Sequence, residues 1–184
     1  MPVDQQGVFN VIPGEEYTYI STKNTYYHAT AKFVPETNNT IINVAEPKIS
    51  AGLATFLGKT GTSNTTPKLP MDKEFDPAVH EYTMWMDSNS GNLCLQANAS
   101  NKNNYTVTAH YKSATNSAYS EYGSLAPKNE EVTIANQSKE SAVKLNRSMG
   151  TGGWSNVFYI RMTDKTVVDD VTFYEEYILT VHRT

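Results

Sequence analysis

The chain has 184 residues, enough for one well-buried domain or for a domain with a substantial extension. Its net charge of −4 is dispersed, and no run approaches the roughly eighteen apolar residues of a membrane helix, so neither nucleic-acid binding nor membrane insertion is expected. With 18% charged and 11% aromatic residues it is not a disordered chain, and a polar remainder dominated by Asn, Thr and Ser favours an all-β protein.

Residues Met1-Pro2-Val3-Asp4 lack the charged and apolar regions of a signal peptide. Helical periodicity is nearly absent throughout, whereas strand signals are plentiful. Three early strands are predicted at residues 17–20, 27–34 and 40–44, separated by Lys23-Asn24 and by Pro35-Glu36-Thr37-Asn38-Asn39. A further strand at 49–57 runs into residues 58–67, whose small polar side chains cannot build a core and read as a loop.

Phe75-Asp76-Pro77-Ala78-Val79 reads as a turn, because Pro77 fixes φ and removes a donor, and it launches a strand from Tyr82. There Tyr82, Met84 and Met86 alternate with Thr83 and Trp85. If the first three face the core, Trp85 faces away, where so large a ring needs cover. Strands from the N-terminal segment, folded over or extending this sheet, would supply that cover; the competing reading is a bulge that turns Trp85 inward. After a turn at residues 87–92, strands are expected at 93–97 and at 105–111, the latter with Tyr105, Val107, Ala109 and Tyr111 on one face. Cys94 has no second cysteine to pair with and reads as a small buried residue on a strand.

A polar stretch from Ser113 to Asn129 is expected to be a long loop. Short strands follow at 132–135 and 142–145, then Met149-Gly150-Thr151-Gly152-Gly153 breaks the chain before Trp154. Strands at 157–162 and 174–182, joined by a loop at 164–170, complete the pattern. Many short strands punctuated by turns indicate a β-sandwich.

The order Phe75-Asp76-Pro77, Glu81-Tyr82-Thr83, Ala142-Val143-Lys144-Leu145, the glycine-rich approach to Asn156-Val157-Phe158-Tyr159-Ile160, and the ending Tyr177-Ile178-Leu179-Thr180-Val181-His182-Arg183 resembles the bacterial cadherin-like β-sandwich domain family. The resemblance covers about residues 51–184. It departs from the family between Ser100 and Glu131, which is longer and more polar. It implies an immunoglobulin-like β-sandwich over residues 50–184, preceded by a β-rich extension, or part of another module, over 1–49. It implies no catalytic activity, and a role as spacer or adhesion module in a secreted or surface protein, with neighbouring domains of that protein as partners.

Candidate sites follow from residue types. The family name raises calcium, the one cofactor considered, and hard cations need clustered oxygens. Asp164, Asp169 and Asp170, with help from Glu175 and Glu176, form the best local cluster, set against the plain alternative of solvated loops. A glycan ligand would want an exposed ring beside amides and hydroxyls. Trp154, Tyr119 and Tyr122 are the ring candidates, the alternative being that they cover apolar surface. The four histidines carry no H-E-x-x-H, and there is no G-x-S-x-G or P-loop, so no enzyme is expected. Adjacent acidic residues such as Glu175-Glu176 point to opposite strand faces and are expected to be solvated.

The functional expectation is therefore a non-catalytic extracellular or cell-surface module of a larger bacterial protein. Two alternatives stand beside it. One is a carbohydrate-binding module of a secreted enzyme; the other is a self-assembling surface or pilus-type subunit that completes a neighbour's sheet.

Overall fold

The computed structural model describes residues 7–37, 39–42, 46–47, 52–87, 92–116, 131–133, 142–145, 149, 152–168 and 170–184. The described strands are β1 (Gly7–Asn10), β2 (Tyr17–Lys23), β3 (Tyr27–Phe33), β4 (Asn39–Ile42), β5 (Leu53–Lys59), β6 (Glu81–Met86), β7 (Cys94–Ala99), β8 (Tyr105–Asn116), β9 (Glu131–Thr133), β10 (Val143–Lys144), β11 (Trp154–Asp164) and β12 (Val171–Arg183). The protein is all-β, as its composition predicts. Among the described residues no helix is long and apolar enough to cross a membrane.

The contacts divide the chain into two compact units, Met1–Ser50 with Thr163–Glu175, and Ala51–Met162 with Glu176–Thr184. In the first, β1 pairs with β4, and β2 with β3, both antiparallel. The β2–β3 turn places Asn24 and Thr25 at φ values of 52° and 66°. Asparagine tolerates that left-handed region, but a β-branched threonine does so only under strain. The start of β12 adds to β3, from Val171 opposite Ala31 to Glu175 opposite Tyr27. One face of this sheet packs Ala29, Ala31, Val171 and Phe173 with Tyr19, while Thr18, Ile20 and Lys32 on the other are exposed. The ion pairs Lys32–Glu16 and Lys23–Glu46, each 2.6 Å, lie at the surface and contribute little.

In the second unit two sheets pack together in a sandwich-like arrangement. One has the strand order β10-β7-β5; the other runs β12-β11-β8-β9, with β6 parallel to the end of β12. Period-2 alternation fills the space between them. Phe56 from β5 and Leu95 and Ala97 from β7 meet Met84, Val107, Ala109, Phe158, Ile160, Leu179 and Val181 from the facing sheet.

The turn before β6 is built as its sequence dictates. Val79 N–H donates to the Asp76 carbonyl (2.9 Å), and the Asp76 carboxylate accepts from Ala78 N–H (2.9 Å), with Pro77 supplying the fixed φ of the turn's second residue. Two phenols lock this turn. Tyr82 donates to the Asp76 carbonyl (2.6 Å) and accepts from its N–H (2.9 Å), while Tyr177 donates to the Pro77 carbonyl (2.9 Å) and accepts from Leu53 N–H (3.2 Å). Phe75 closes the cluster, its ring within 6.5 Å of Phe56, Tyr82 and Tyr177.

Several boundaries differ from the sequence reading. Strand β1 was not foreseen, β8 continues through Asn116 into the stretch expected to be a loop, and β11 begins at Trp154 and ends at Asp164. Strand β12 begins at Val171, three residues earlier than the alternation indicates. Pairing with a neighbouring strand can hold polar residues in strand conformation whatever their own preference, because strand propensity depends on context. At β6 the alternation holds without a bulge. Tyr82, Met84 and Met86 are buried, and Trp85 stands half-buried on the other face.

Candidate functional site

Of the ring candidates, Tyr119 and Tyr122 lie outside the described residues. Trp154 opens β11 after a turn in which Gly153 adopts φ 84° and donates its N–H to the Arg183 carbonyl. Its ring is half-buried and packs against the main core.

Of the carboxylates proposed for calcium, Asp169 lies outside the described residues. Asp164 ends β11, and its carboxylate accepts from Thr166 N–H (2.8 Å), the ordinary use of aspartate at a strand end. Asp170 is exposed at φ 60°. It borders a shallow hollow of about 570 Å³ in the first unit, beside Glu16, Lys32 and Thr172. Among the described residues no three His, Cys, Asp or Glu side chains gather closely enough to hold a metal ion.

Glu175 and Glu176 are both buried, at 1% and 7% exposure, where solvated side chains were expected. Strand alternation sends them to different surroundings, and each has its own partner. Glu176 is paired with Arg161 at 3.1 Å. Glu175 lies beside Tyr27, whose phenol is pushed above the ordinary tyrosine range, first by burial and then by that carboxylate.

The chemically richest surface is one the sequence reading did not single out as a site: the outer face of the larger sheet in the second unit. Parallel pairing sets Trp85 of β6 directly beside His182 of β12, with ring centroids 6.2 Å apart. From β11, the Ser155 hydroxyl lies 2.6 Å from Nδ1 of His182. Thr83 is in register with Thr180, which adds hydroxyls next to the indole. Farther along, the Lys112 ammonium lies 5.5 Å from the centre of the Tyr159 ring. Trp85, Ser155, Tyr159 and His182 are all half-buried, as expected of ring and hydroxyl side chains on the open face of a sheet.

Such a face offers ring surface, hydroxyl groups and imidazole nitrogen to a polar ligand. It offers less to catalysis. A Ser–His pair acts as nucleophile and base when a third group orients the imidazole and donors await the oxyanion. Among the described residues no carboxylate bonds His182. Cys94 is equally quiet: it is buried on β7, and burial pushes its thiol up, an effect the nearby Lys144 opposes. The only advance sign of the Trp85 face was the indole on the wrong side of an otherwise regular strand; its companions come from residues 70 and 97 positions away in the chain. No family model, curated protein or solved structure matches this chain.

Proposed function

We propose that the chain is a non-catalytic module of a larger bacterial surface or secreted protein, an extracellular spacer or adhesion domain built on an immunoglobulin-like sandwich. The observation that carries this reading is the parallel pairing of Glu81–Met86 with Ile178–Arg183, which joins two of the segments that carry the cadherin-like resemblance. Their tyrosine hydroxyls, of Tyr82 and Tyr177, are committed to holding backbone. Six residue pairs in one register also share a shearing load, which suits a domain that transmits tension.

Single-molecule stretching of the chain within a tandem array tests it. One cooperative, force-resistant unfolding event is expected, weakened in the Tyr177→Phe variant. Extension with no resistance beyond that of an unfolded chain overturns the reading.

The Trp85 face favours a second reading, carbohydrate binding, because an indole beside His182, Ser155, Thr83 and Thr180 matches a sugar's apolar face and hydroxyl rim. Glycan binding abolished by Trp85→Ala at unchanged melting temperature supports it. An array without binders removes it.

A further inference from the structure

Strand β5 is an edge of its sheet, and the way the following chain covers that edge leaves a gap of defined chemistry. Residues Lys68 and Leu69 return to β5, Lys68 bridging Lys59 and Leu69 N–H donating to the Gly58 carbonyl at 2.8 Å. The next residue is Pro70. By strand alternation its backbone faces away from β5, and its carbonyl accepts from Trp85 N–H (3.1 Å). Asp72 N–H then bonds the Thr83 carbonyl (3.0 Å), so the chain crosses to β6 and leaves the rest of β5 without a neighbour on that side among the described residues.

Because Gly58 directs its carbonyl outward, strand alternation directs the N–H and carbonyl of Phe56 outward as well. Toward the start of β5, the register with β7 shifts between Leu53 and Thr55, which limits the open edge to about this position. Facing it is a groove of about 490 Å³. Its floor includes Leu69, Met71 and Phe75, partly buried residues packed against the main core. Lys68, Lys73 and Glu74 also line it. Lys73 already holds Asp72 at 3.1 Å, and Lys59 turns back to the Ser63 and Asn64 carbonyls. Lys68 and Glu74 are both exposed, and neither forms an ion pair among the described residues.

We infer that this groove is a strand-addition site for an extended peptide of another protein. The peptide would pair its backbone with Phe56, place an apolar side chain on Leu69, Met71 and Phe75, and present a carboxylate to Lys68 and an ammonium to Glu74. Each requirement follows from a separate feature: outward main-chain groups ask for a β-strand, the partly buried apolar floor for an apolar side chain, and the uncommitted ammonium and carboxylate for opposite charges. The inference is independent of the spacer reading and of the Trp85 face.

The test uses the full chain and a capped, fluorescein-labelled seven-residue peptide alternating valine and threonine, with glutamate at one end and lysine at the other, read by fluorescence anisotropy. Saturable binding is expected. N-methylation of the peptide's alternate amides in one register should weaken it by more than about tenfold, and in the other register should leave it intact. Lys68→Glu, folded as shown by an unchanged melting curve, should weaken it about threefold to fivefold and favour a peptide with lysine at both ends instead. No saturable binding, equal effects of the two methylation registers, or indifference to Lys68→Glu would each overturn the proposal. Because the methylation is on the probe, folding of a variant does not enter that comparison.

Discussion

The phenol of Tyr177 donates a hydrogen bond to the carbonyl of Pro77, 100 residues earlier, and in the same position accepts the amide of Leu53. One hydroxyl thus ties the start of β5, the turn before β6 and the middle of β12. Tyr177→Phe keeps the buried ring but strands the buried Leu53 amide and the partly buried Pro77 carbonyl. The expected cost is about 1–3 kcal/mol, seen as a lower urea midpoint at unchanged slope. Tyr82→Phe, whose hydroxyl serves the more exposed Asp76, should cost less, about 0.5–1.5 kcal/mol.

Gly58 is required by a close approach. A Cβ there would stand 2.7 Å from the sulfur of Met84, which is fully buried, and 3.1 Å from Leu69. Methionine is flexible enough to shift but has little room to do so. Gly58→Ala is expected to destabilise by about 1–3 kcal/mol in thermal or urea unfolding, and Met84→Leu should change that penalty, since the two sites share one contact.

The β2–β3 turn contains removable strain. Thr25 holds a left-handed φ of 66° with a branched Cβ, and glycine adopts that conformation freely. Thr25→Gly is expected to stabilise by about 0.5–1 kcal/mol, measured as a raised urea midpoint, once the added freedom of the unfolded chain is offset. The same change at Asn24 should give a smaller gain.

The alkaline limit of stability should carry a signature of Tyr82. Burial pushes its phenol above the usual tyrosine value of 10, an effect the Asp76 backbone bond partly opposes. A raised folded-state pKa means that the folded chain keeps a proton the unfolded chain releases. The resulting stabilisation is complete below pH 10 and is lost as pH rises through the raised value. Unfolding free energies measured from pH 8 upward should therefore fall above pH 10, and Tyr82→Phe should flatten part of that fall.

Asp72 should act at the other end of the scale. Burial alone would raise its carboxyl, but Thr83 N–H and Lys73 outweigh this and hold it below the usual carboxylate value of 3.8. Its contribution is present above that value and is lost as pH falls through the lowered one. Asp72→Asn should lessen the acid-side loss of stability in the same measurement.

Much of the fold was legible because its signal is local. Alternation at Tyr82, Met84 and Met86 and at Tyr177, Leu179 and Val181 marks buried faces, since successive side chains of a strand point to opposite sides wherever the strand is placed. The Asp76–Pro77 turn was equally plain, because proline and aspartate impose their geometry on neighbouring residues. Glu175 and Glu176 were misread as solvated because burial depends on which partners arrive, here Tyr27 and Arg161. Among the site candidates, Trp154 was visible as a ring at a strand's start. Its packing against the core was not.

By itself, then, the sequence determined an all-β chain, the positions of most strands, the turn that launches β6 and the inward faces of the sandwich-like unit. Only the tertiary structure decided that β6 runs parallel to β12, that residues 163–175 belong with the N-terminal unit, that Trp85 meets His182 and Ser155, and that the chain leaves β5 for β6 after Leu69. The physical reason is the same in each case. Strand patterning repeats every two residues and can be read along the chain, whereas pairing partners are chosen by closing loops of tens of residues, for which the segments themselves carry no matching local mark.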